Sequence, residues 1–301
     1  MQDWIQTDLQ PEQDTVGPQG KIFGAFAGTA VIAGLRIKAK QEKAMIIKND
    51  FRYPPSGAIR RLHIYLPDDY DDTDETYPVM YFFDGHNLFF DSDATYGKSW
   101  GLKEFLDGWD KKMIIVGMEC GHNGNERLWE YSPYRASRGM FSEHEPMGDA
   151  TMQWIVNDVK PMIDREFRTY PNRECTGIGG SSMGGLMALY GLVRYNDVFS
   201  KGACVSSALG FCQPKVMIEM NNDPVSPDTR AFLSWGTGEA PGVQDVNAID
   251  CHSGTYRRNK AVANKFEKQG AAAQLYCQVG GHHCEADWEK QVPFFMNWLW
   301  K

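Results

Sequence analysis

Gly180-Ser-Ser-Met-Gly-Gly185 is the stretch that decides the fold, because its glycines allow a sharp turn between a strand and a helix. The preceding residues, Cys175–Gly179, predict a short buried strand, and the following run, Leu186–Val193, predicts an apolar helix. In a Gly-x-Ser-x-Gly elbow the serine is strained, and a Cβ at either glycine would collide with a neighbouring strand or helix. Only the serine at 182 fits this frame, so Ser182 is the candidate nucleophile.

The composition is that of a globular protein. The chain has 301 residues, of which 42% are hydrophobic and 13% aromatic, enough for one large α/β domain or two smaller ones. Its formal net charge of −8 disfavours contact with a nucleic-acid backbone. We therefore expect a globular protein that does not bind nucleic acid.

The cysteines and the apolar segments indicate a cytoplasmic protein. The seven cysteines are odd in number and irregularly spaced, which predicts reduced thiols. Residues 1–8 are acidic where a secretory signal would be basic. The apolar segment Ile22–Leu35 has fourteen residues, fewer than the about 20 of a membrane span. We expect it to form a strand pair on the core, and no contact with a membrane.

The first part of the chain is rich in strand-like runs. Residues 1–20 predict a loosely held arm. Arg60–Leu66 alternates polar and apolar residues, as an antiparallel strand does, whereas Pro78–Phe83 is continuously apolar and predicts a strand buried on both faces. The predicted strands are Ile22–Phe26, Thr29–Ile37, Ala44–Lys48, Ile59–Leu66 and Val79–Phe83.

Beyond residue 98 helices and strands alternate. The predicted helices are Ser99–Trp109, Ala150–Phe167, Leu186–Tyr195, Asn259–Gln269 and Trp288–Trp300. The predicted strands are Met113–Met118, Thr176–Gly179, Lys201–Ser206, Ala231–Trp235 and Gln274–Val279. This alternation predicts an α/β fold with a mostly parallel central sheet and helices on both faces. We divide the chain into an N-terminal arm and β extension at 1–50 and a catalytic domain at 51–301, in which 206–230 is a candidate cap segment.

A serine nucleophile needs a base and an acid that orients the base. In α/β-hydrolases these follow the serine in the order acid, then histidine, each in a loop after a strand. The histidines that follow Ser182 are His252, His282 and His283. The strand Gln274–Val279 and the turn after it present His282 and His283, of which at most one can face the serine. The pattern alone leaves the choice between them open.

The acid is expected in the loop after the strand Phe232–Trp235. Glu239 lies in this loop. Asp245 and Asp250 lie farther along the chain and are alternatives. The expected order of the three residues favours Glu239.

Two backbone N–H groups are candidates for binding an oxyanion. One is that of Met183, directly after the nucleophile, and the other is that of His86, in the loop after the strand that ends at Phe83. Each such donor typically contributes about 10²–10³ in rate.

With these motifs the chain resembles the esterase family of α/β-hydrolases that includes enterochelin esterases, feruloyl and acetyl-xylan esterases, the esterase D group and the mycolyltransferase antigens. The resemblance covers roughly residues 55–301. The blocks that carry it are Tyr77–Phe89, Arg127–Pro133, Gly180–Gly185, Trp235–Glu239 and Gly280–Trp288. The last block is similar to a Gly-x-His-x-Glu-x-x-Trp signature, and that register places the base at His283.

The resemblance implies an α/β-hydrolase fold with a small N-terminal β region added, and a serine carboxylic-ester hydrolase that forms an acyl-enzyme. It implies Ser182 as nucleophile, His283 as base and Glu239 as acid, with no metal or organic cofactor. The expected partner is a small-molecule or carbohydrate ester. Short-chain, carbohydrate-linked and hydroxycinnamoyl esters are all candidate substrates. The chain could also form a homo-oligomer. Candidate substrate-binding residues are Asp84, Trp129, Glu130, Tyr131, Phe211 and Trp288.

Other functions fit the same residues. The site could transfer an acyl group to an alcohol or hydrolyse a siderophore ester, and a hydrolase fold could also serve a non-catalytic binding protein. A metal site could be sought among His282, His283, Cys284, Cys251 and His252, but three consecutive ligands do not easily converge on one ion. The chain also carries His86 and Cys284 where relatives often have Gln and Asn.

Overall fold

An eight-stranded sheet organises the protein, whose computed structural model describes residues 45–135, 145–239 and 245–301. The strands are β1 (Met45–Tyr53), β2 (Ala58–Leu66), β3 (Val79–Phe83), β4 (Ile114–Met118), β5 (Thr176–Ser181), β6 (Lys201–Val205), β7 (Arg230–Gly236) and β8 (Ala272–Gln278). They follow the order β1-β2-β4-β3-β5-β6-β7-β8. β2 is antiparallel to β1 and β4, and all other neighbours are parallel. This is the predicted α/β-hydrolase arrangement of a mostly parallel sheet.

The central strands are apolar on both faces because helices cover both sides of the sheet. All five residues of β3 are buried. Val79, Tyr81 and Phe83 face one hydrophobic core, and Met80 and Phe82 face the other. This alternation is the period-two geometry of a strand sandwiched between two layers.

Nine helices surround the sheet in the described ranges, and they occupy both of its faces. They are α1 (Leu102–Asp107), α2 (Glu126–Glu130), α3 (Gly148–Trp154), α4 (Lys160–Glu166), α5 (Met183–Arg194), α6 (Gln213–Asn222), α7 (Gly254–Lys268), α8 (Glu285–Glu289) and α9 (Val292–Leu299). Residues of α3 to α7 pack in the core of one face. Residues of α1 and α9 pack in the core of the other face.

Two helices differ from their predicted form. The predicted helix Ala150–Phe167 is α3 and α4 joined by a π-helical turn at Ile155–Val159. The prediction of one helix at Trp288–Trp300 is wrong, since α8 and α9 are separate helices. Pro293 lies in the first turn of α9, where its missing N–H and fixed φ favour a helix start over continuation.

The described residues begin at 45, so they include only the end of the predicted N-terminal region 1–50. The predicted strands Ile22–Phe26 and Thr29–Ile37 lie outside the described residues. β1 runs across residue 50, and Lys43–Lys301 forms one unit. The segment 206–230 contains α6, which links β6 to β7. The division at residue 50 and the role of 206–230 as a cap stay predictions.

Two further findings concern the cysteines and the helices. All seven cysteines are free thiols. Within the three ranges described, no helix combines the length and the apolar character that crossing a membrane would require.

Candidate active site

The loops that follow parallel strands meet at one edge of the sheet, where ligand sites of α/β folds form. The predicted site residues come from several of these loops. The loops after β3, β5, β6, β7 and β8 carry, in that order, His86, Ser182, Ser206, Glu239 and His283.

Ser182 occupies the turn between β5 and α5 in a rare backbone conformation, with φ 58° and ψ −119°. Its N–H donates to the carbonyl of Val205 and its carbonyl accepts from the N–H of Ala208, each at 3.0 Å. These bonds to the end of β6 and the loop after it hold a non-glycine residue in a conformation that costs about 1–3 kcal/mol.

The glycines around Ser182 are required by close backbone approach. A Cβ on Gly180 would lie 2.7 Å from the carbonyl carbon of Gly184, and one on Gly185 would lie 2.5 Å from the Val205 oxygen. A Cβ on Gly184 would lie 2.9 Å from the Cβ of Phe83. The elbow therefore packs directly against the end of β3 and the loop after β6, as the glycine pattern predicts.

His283 and Glu239 form a hydrogen-bonded pair, with 2.9 Å between Nδ1 and Oε2. The Glu239 side chain is 9% exposed and that of His283 is 45% exposed. The second oxygen of Glu239 accepts from the N–H of Gly236 and the hydroxyl of Ser206, both at 2.7 Å. A carboxylate with three donors is fixed in place, and it leaves Nε2 of His283 for another partner.

The adjacent histidine has a different partner. The backbone N–H of His282 donates to Asp287 at 2.7 Å, and its Nδ1 lies 3.5 Å from the same carboxylate. The alternative acids Asp245 and Asp250 each accept a backbone N–H from their own loop, and both are exposed. The geometry thus pairs His283, and not His282, with Glu239.

Ser206 belongs to this site, although no motif in the sequence predicts it. It has a positive φ of 44° and is buried. Its hydroxyl donates to Glu239 and accepts from the indole N–H of Trp288 at 3.0 Å. The Trp288 ring stands edge-on to His283, with 5.0 Å between the ring centroids. Ser206 therefore contacts Glu239, and Trp288 contacts His283. A lone serine at a strand end gives no signal of such a role.

No hydrogen bond joins Ser182 to His283 within the described residues. Ser182 is connected to the histidine–glutamate pair through residues 205–208, which bond its backbone and supply the hydroxyl of Ser206. The structure thus links two of the predicted triad members directly and the third through a shared loop.

The loop after β3 is held by an ion pair between buried Asp84 and half-buried Arg127. Asp84 has a left-handed φ of 59° and is 5% exposed. Nε and Nη2 of Arg127 donate to its two carboxylate oxygens, both at 2.7 Å. Burial opposes ionisation of Asp84, but the Arg127 guanidinium outweighs it and lowers the pKa of this carboxyl. The N–H of Asp84 also donates to the hydroxyl of Tyr131.

We expect Arg127→Ala to lower the free energy of unfolding by about 3 kcal/mol, because it leaves the buried Asp84 charge without its partner. Because folding lowers the pKa of Asp84, the pair stabilises the protein above the ordinary carboxyl pKa of 3.8. The difference between the two proteins should therefore shrink as the pH falls below that value. Urea unfolding across the pH range measures both effects.

The control for this prediction is Arg165→Ala, since Arg165 pairs with Glu166 at an exposed site. We expect it to change the free energy of unfolding by less than about 1 kcal/mol. Equal losses for the two variants would contradict the assigned role of the Asp84 pair.

No acceptor in the described part of the chain competes for the two predicted oxyanion donors. Met183 is the first residue of α5, so its N–H has no partner inside the helix. The N–H of His86 donates to no acceptor among the described residues. Both residues are buried, and the N-terminus of α5 adds the positive end of its dipole.

The remaining candidate substrate-binding residues lie in different settings. Glu130 is buried and accepts from Arg60 and from the N–H of Gly121. Trp129 is half-buried. Phe211 lies in the 3₁₀ turn Leu209–Phe211 after β6. Substrate contact by Asp84, Trp129, Glu130, Tyr131, Phe211 and Trp288 stays a prediction.

Comparisons with known proteins identify the family and the fold of this chain. A family model described as "Putative esterase" matches residues 57–298. The chain is 23% identical over 247 residues to the uncharacterized protein YbbA of Bacillus subtilis, which covers 80% of this chain and 92% of that protein. It is 29% identical over 185 residues to Esterase Rv1288 of Mycobacterium tuberculosis, which covers 61% of this chain and only 37% of that protein.

A solved structure shares the fold. An IroE-like serine hydrolase from Shewanella oneidensis superposes with a TM-score of 0.66 at 20% identity, and covers 85% of this chain and 80% of its own. At this identity the likeness shows the fold alone.

Proposed function

The chain belongs to the esterase family, and from that premise we propose that it is a serine carboxylic-ester hydrolase whose nucleophile is Ser182. The observation that carries the proposal is the hydrogen-bonded pair of His283 and Glu239. The segment 205–208 bonds both to Glu239 and to the backbone of the strained Ser182. The description of the Shewanella protein as a serine hydrolase supports a serine mechanism here.

Acylation begins with transfer of the Ser182 proton to Nε2 of His283. The serine oxygen bonds to the ester carbonyl carbon, and the carbonyl oxygen becomes an oxyanion. The N–H groups of His86 and Met183 bind this oxyanion. The serine and imidazole must come within about 2.6–3.2 Å for this step, and such bonds often tighten only when substrate is bound.

Breakdown of the tetrahedral intermediate releases the alcohol, which takes the proton from the His283 imidazolium. The acyl group stays on Ser182 until water, deprotonated by His283, attacks the carbonyl. The bond from the acyl carbon to the Ser182 oxygen then breaks, the His283 imidazolium returns the proton to that oxygen, and the acid is released. Glu239 remains ionised throughout and holds the proton of the imidazole on Nδ1. The cycle needs no cofactor.

The substrates proposed are short-chain, carbohydrate-linked or hydroxycinnamoyl esters. A panel of p-nitrophenyl acetate, acetylated xylose and methyl ferulate, compared by kcat/KM, ranks them. Excess acceptor alcohol added to the same assays distinguishes hydrolysis from acyl transfer, because transfer diverts product to a new ester.

A fluorophosphonate probe tests the nucleophile without a substrate. We expect one probe per chain, located on Ser182 by peptide mass analysis, because the probe reacts only with an activated serine. Labelling of another residue, or no labelling of a folded and active protein, would reject the assignment.

We expect Ser206→Gly to reduce kcat by about tenfold to a hundredfold with little change in KM. The substitution removes one charge-assisted hydrogen bond to Glu239, worth about 1.5–3 kcal/mol, and leaves the carboxylate less well positioned. Glycine also relieves the positive φ at this position, so the fold is not strained by the change. Steady-state kinetics and thermal melting measure both effects.

Ser206→Ala is the matched variant, since it removes the same hydroxyl but keeps a Cβ. Both variants should lose the same activity, although their thermal stability differs. If the less stable of the two variants is also the less active one, the role of Ser206 is purely structural.

A further inference from the structure

A second cluster of ligating side chains lies beside the oxyanion loop. It consists of His86, in the loop after β3, and Cys120 and His122, in the loop after β4. One ligand atom from each side chain lies within 4.8 Å of the others. We propose that these three residues bind a divalent ion of the Zn²⁺ class.

His86 carries a nitrogen that needs a partner. The residue is 6% exposed, and its Nε2 lies 2.9 Å from the hydroxyl of Thr95. Its Nδ1 is buried and has no hydrogen-bond partner among the described residues. Since a buried polar atom without a partner is rare and costly, a metal ion at Nδ1 would satisfy it.

His122 is oriented as metal-binding histidines are. Its Nε2 lies 3.3 Å from Glu119, whose other oxygen lies 2.6 Å from Nε2 of His63. A carboxylate on the far nitrogen of the ring fixes the ring and leaves Nδ1 for the ion. The His122 side chain is 54% exposed, which gives an ion a path into the site.

The distances between the ligand atoms of the cluster are close to those around a bound ion. The His86 and His122 rings meet edge to face, with 4.8 Å between their centroids. Bonds of about 2.3 Å to sulfur and 2.0–2.1 Å to nitrogen place tetrahedral donors roughly 3.5 Å apart. A small shift of the loop that carries His86 can supply the remaining approach of about 1 Å.

The donor set selects the class of ion. Two neutral imidazoles and one thiolate suit Zn²⁺ and Co²⁺, and not the hard ions Mg²⁺ and Ca²⁺. Cys120 binds as the thiolate, so its thiol proton is released to solvent when the ion binds. Three protein ligands leave the fourth position to water.

Binding has a consequence for the proposed hydrolysis. His86 supplies both a ligand and the N–H proposed to bind the oxyanion, so an ion on its ring should displace the loop and inhibit the reaction. This effect rests on the proposed function, whereas binding itself does not.

Co²⁺ titration of the tag-free, metal-free protein tests the site. We expect one equivalent of Co²⁺ to produce a near-ultraviolet thiolate band and visible bands of a tetrahedral ion, both removed by Zn²⁺ and unaffected by Mg²⁺. Cys120→Ser should abolish the thiolate band. His122→Ala should weaken binding at least tenfold, and Glu119→Gln by about 10–100-fold.

The controls are Cys251→Ser and His252→Ala, an adjacent exposed cysteine and histidine outside the cluster. They should bind Co²⁺ like the unaltered protein. Replacing the buried Cys120 also changes the packing of the core. His122→Ala changes an exposed side chain, so it tests metal binding without that effect. The absence of the thiolate band from the unaltered protein, or binding unchanged in His122→Ala, would overturn the site.

Measurements on Ser182→Ala separate the two proposals. This variant should bind Co²⁺ normally although it hydrolyses no ester, so failure of the proposed function leaves the metal site testable. Hydrolysis by the unaltered protein should fall as Zn²⁺ fills the site, and unchanged hydrolysis at full occupancy would reject the link to the oxyanion loop.

Discussion

Ser182→Ala is expected to lower kcat for p-nitrophenyl acetate by about 10⁴–10⁶-fold, because it removes the hydroxyl that we propose forms the acyl-enzyme. The thermal midpoint should stay nearly unchanged. The backbone of residue 182 is held by bonds to Val205 and Ala208, which alanine retains. Initial rates and thermal melting of the purified variant measure the two quantities.

Ser181→Ala is the control for this experiment. Ser181 is the neighbouring serine, but it is the last residue of β5 and is buried in the sheet. Its replacement should leave most of the activity in place. Full activity of Ser182→Ala, or a larger loss in Ser181→Ala, would reject the nucleophile.

The second large effect is expected at His283. His283→Ala should lower kcat by about 10⁴–10⁶-fold, since it removes the group that we propose moves the proton in both half-reactions. His282→Ala should change kcat by only a few-fold, because His282 lies against Asp287 and not against Glu239. Steady-state kinetics of the two single variants, measured side by side, give the comparison.

These two variants control for one another, as they alter adjacent and exposed imidazoles of the same loop. A greater loss in His282→Ala would move the base by one residue. Equal and small losses would remove histidine catalysis from the mechanism.

The elbow was predictable from sequence because its requirements are local. A Cβ on Gly180 or Gly184 would collide with atoms a few residues away or in the adjoining strand. A short sequence pattern is therefore enough to specify the turn. The central strands were predictable for a similar reason. A strand covered on both faces must be apolar along its length, and Val79–Phe83 is.

Other parts depend on contacts between distant residues. Arg127 reaches Asp84 across 43 positions, and Ser206 reaches Glu239 across 33. No spacing rule links such pairs. The sequence pattern also did not separate His282 from His283, because only the direction of each side chain decides which carboxylate it meets. The break between α8 and α9 is different, since Pro293 was a visible signal.

The placement of these groups along the chain bears on synthesis. The serine at 182 is translated about a hundred residues before the imidazole at 283. At roughly 5–20 residues per second, a ribosome needs on the order of 5–20 seconds to cover that interval. During this time the nascent polypeptide carries the proposed nucleophile without the imidazole that is proposed to take its proton. On the proposed mechanism, ester cleavage can begin only after the chain has been made beyond residue 283.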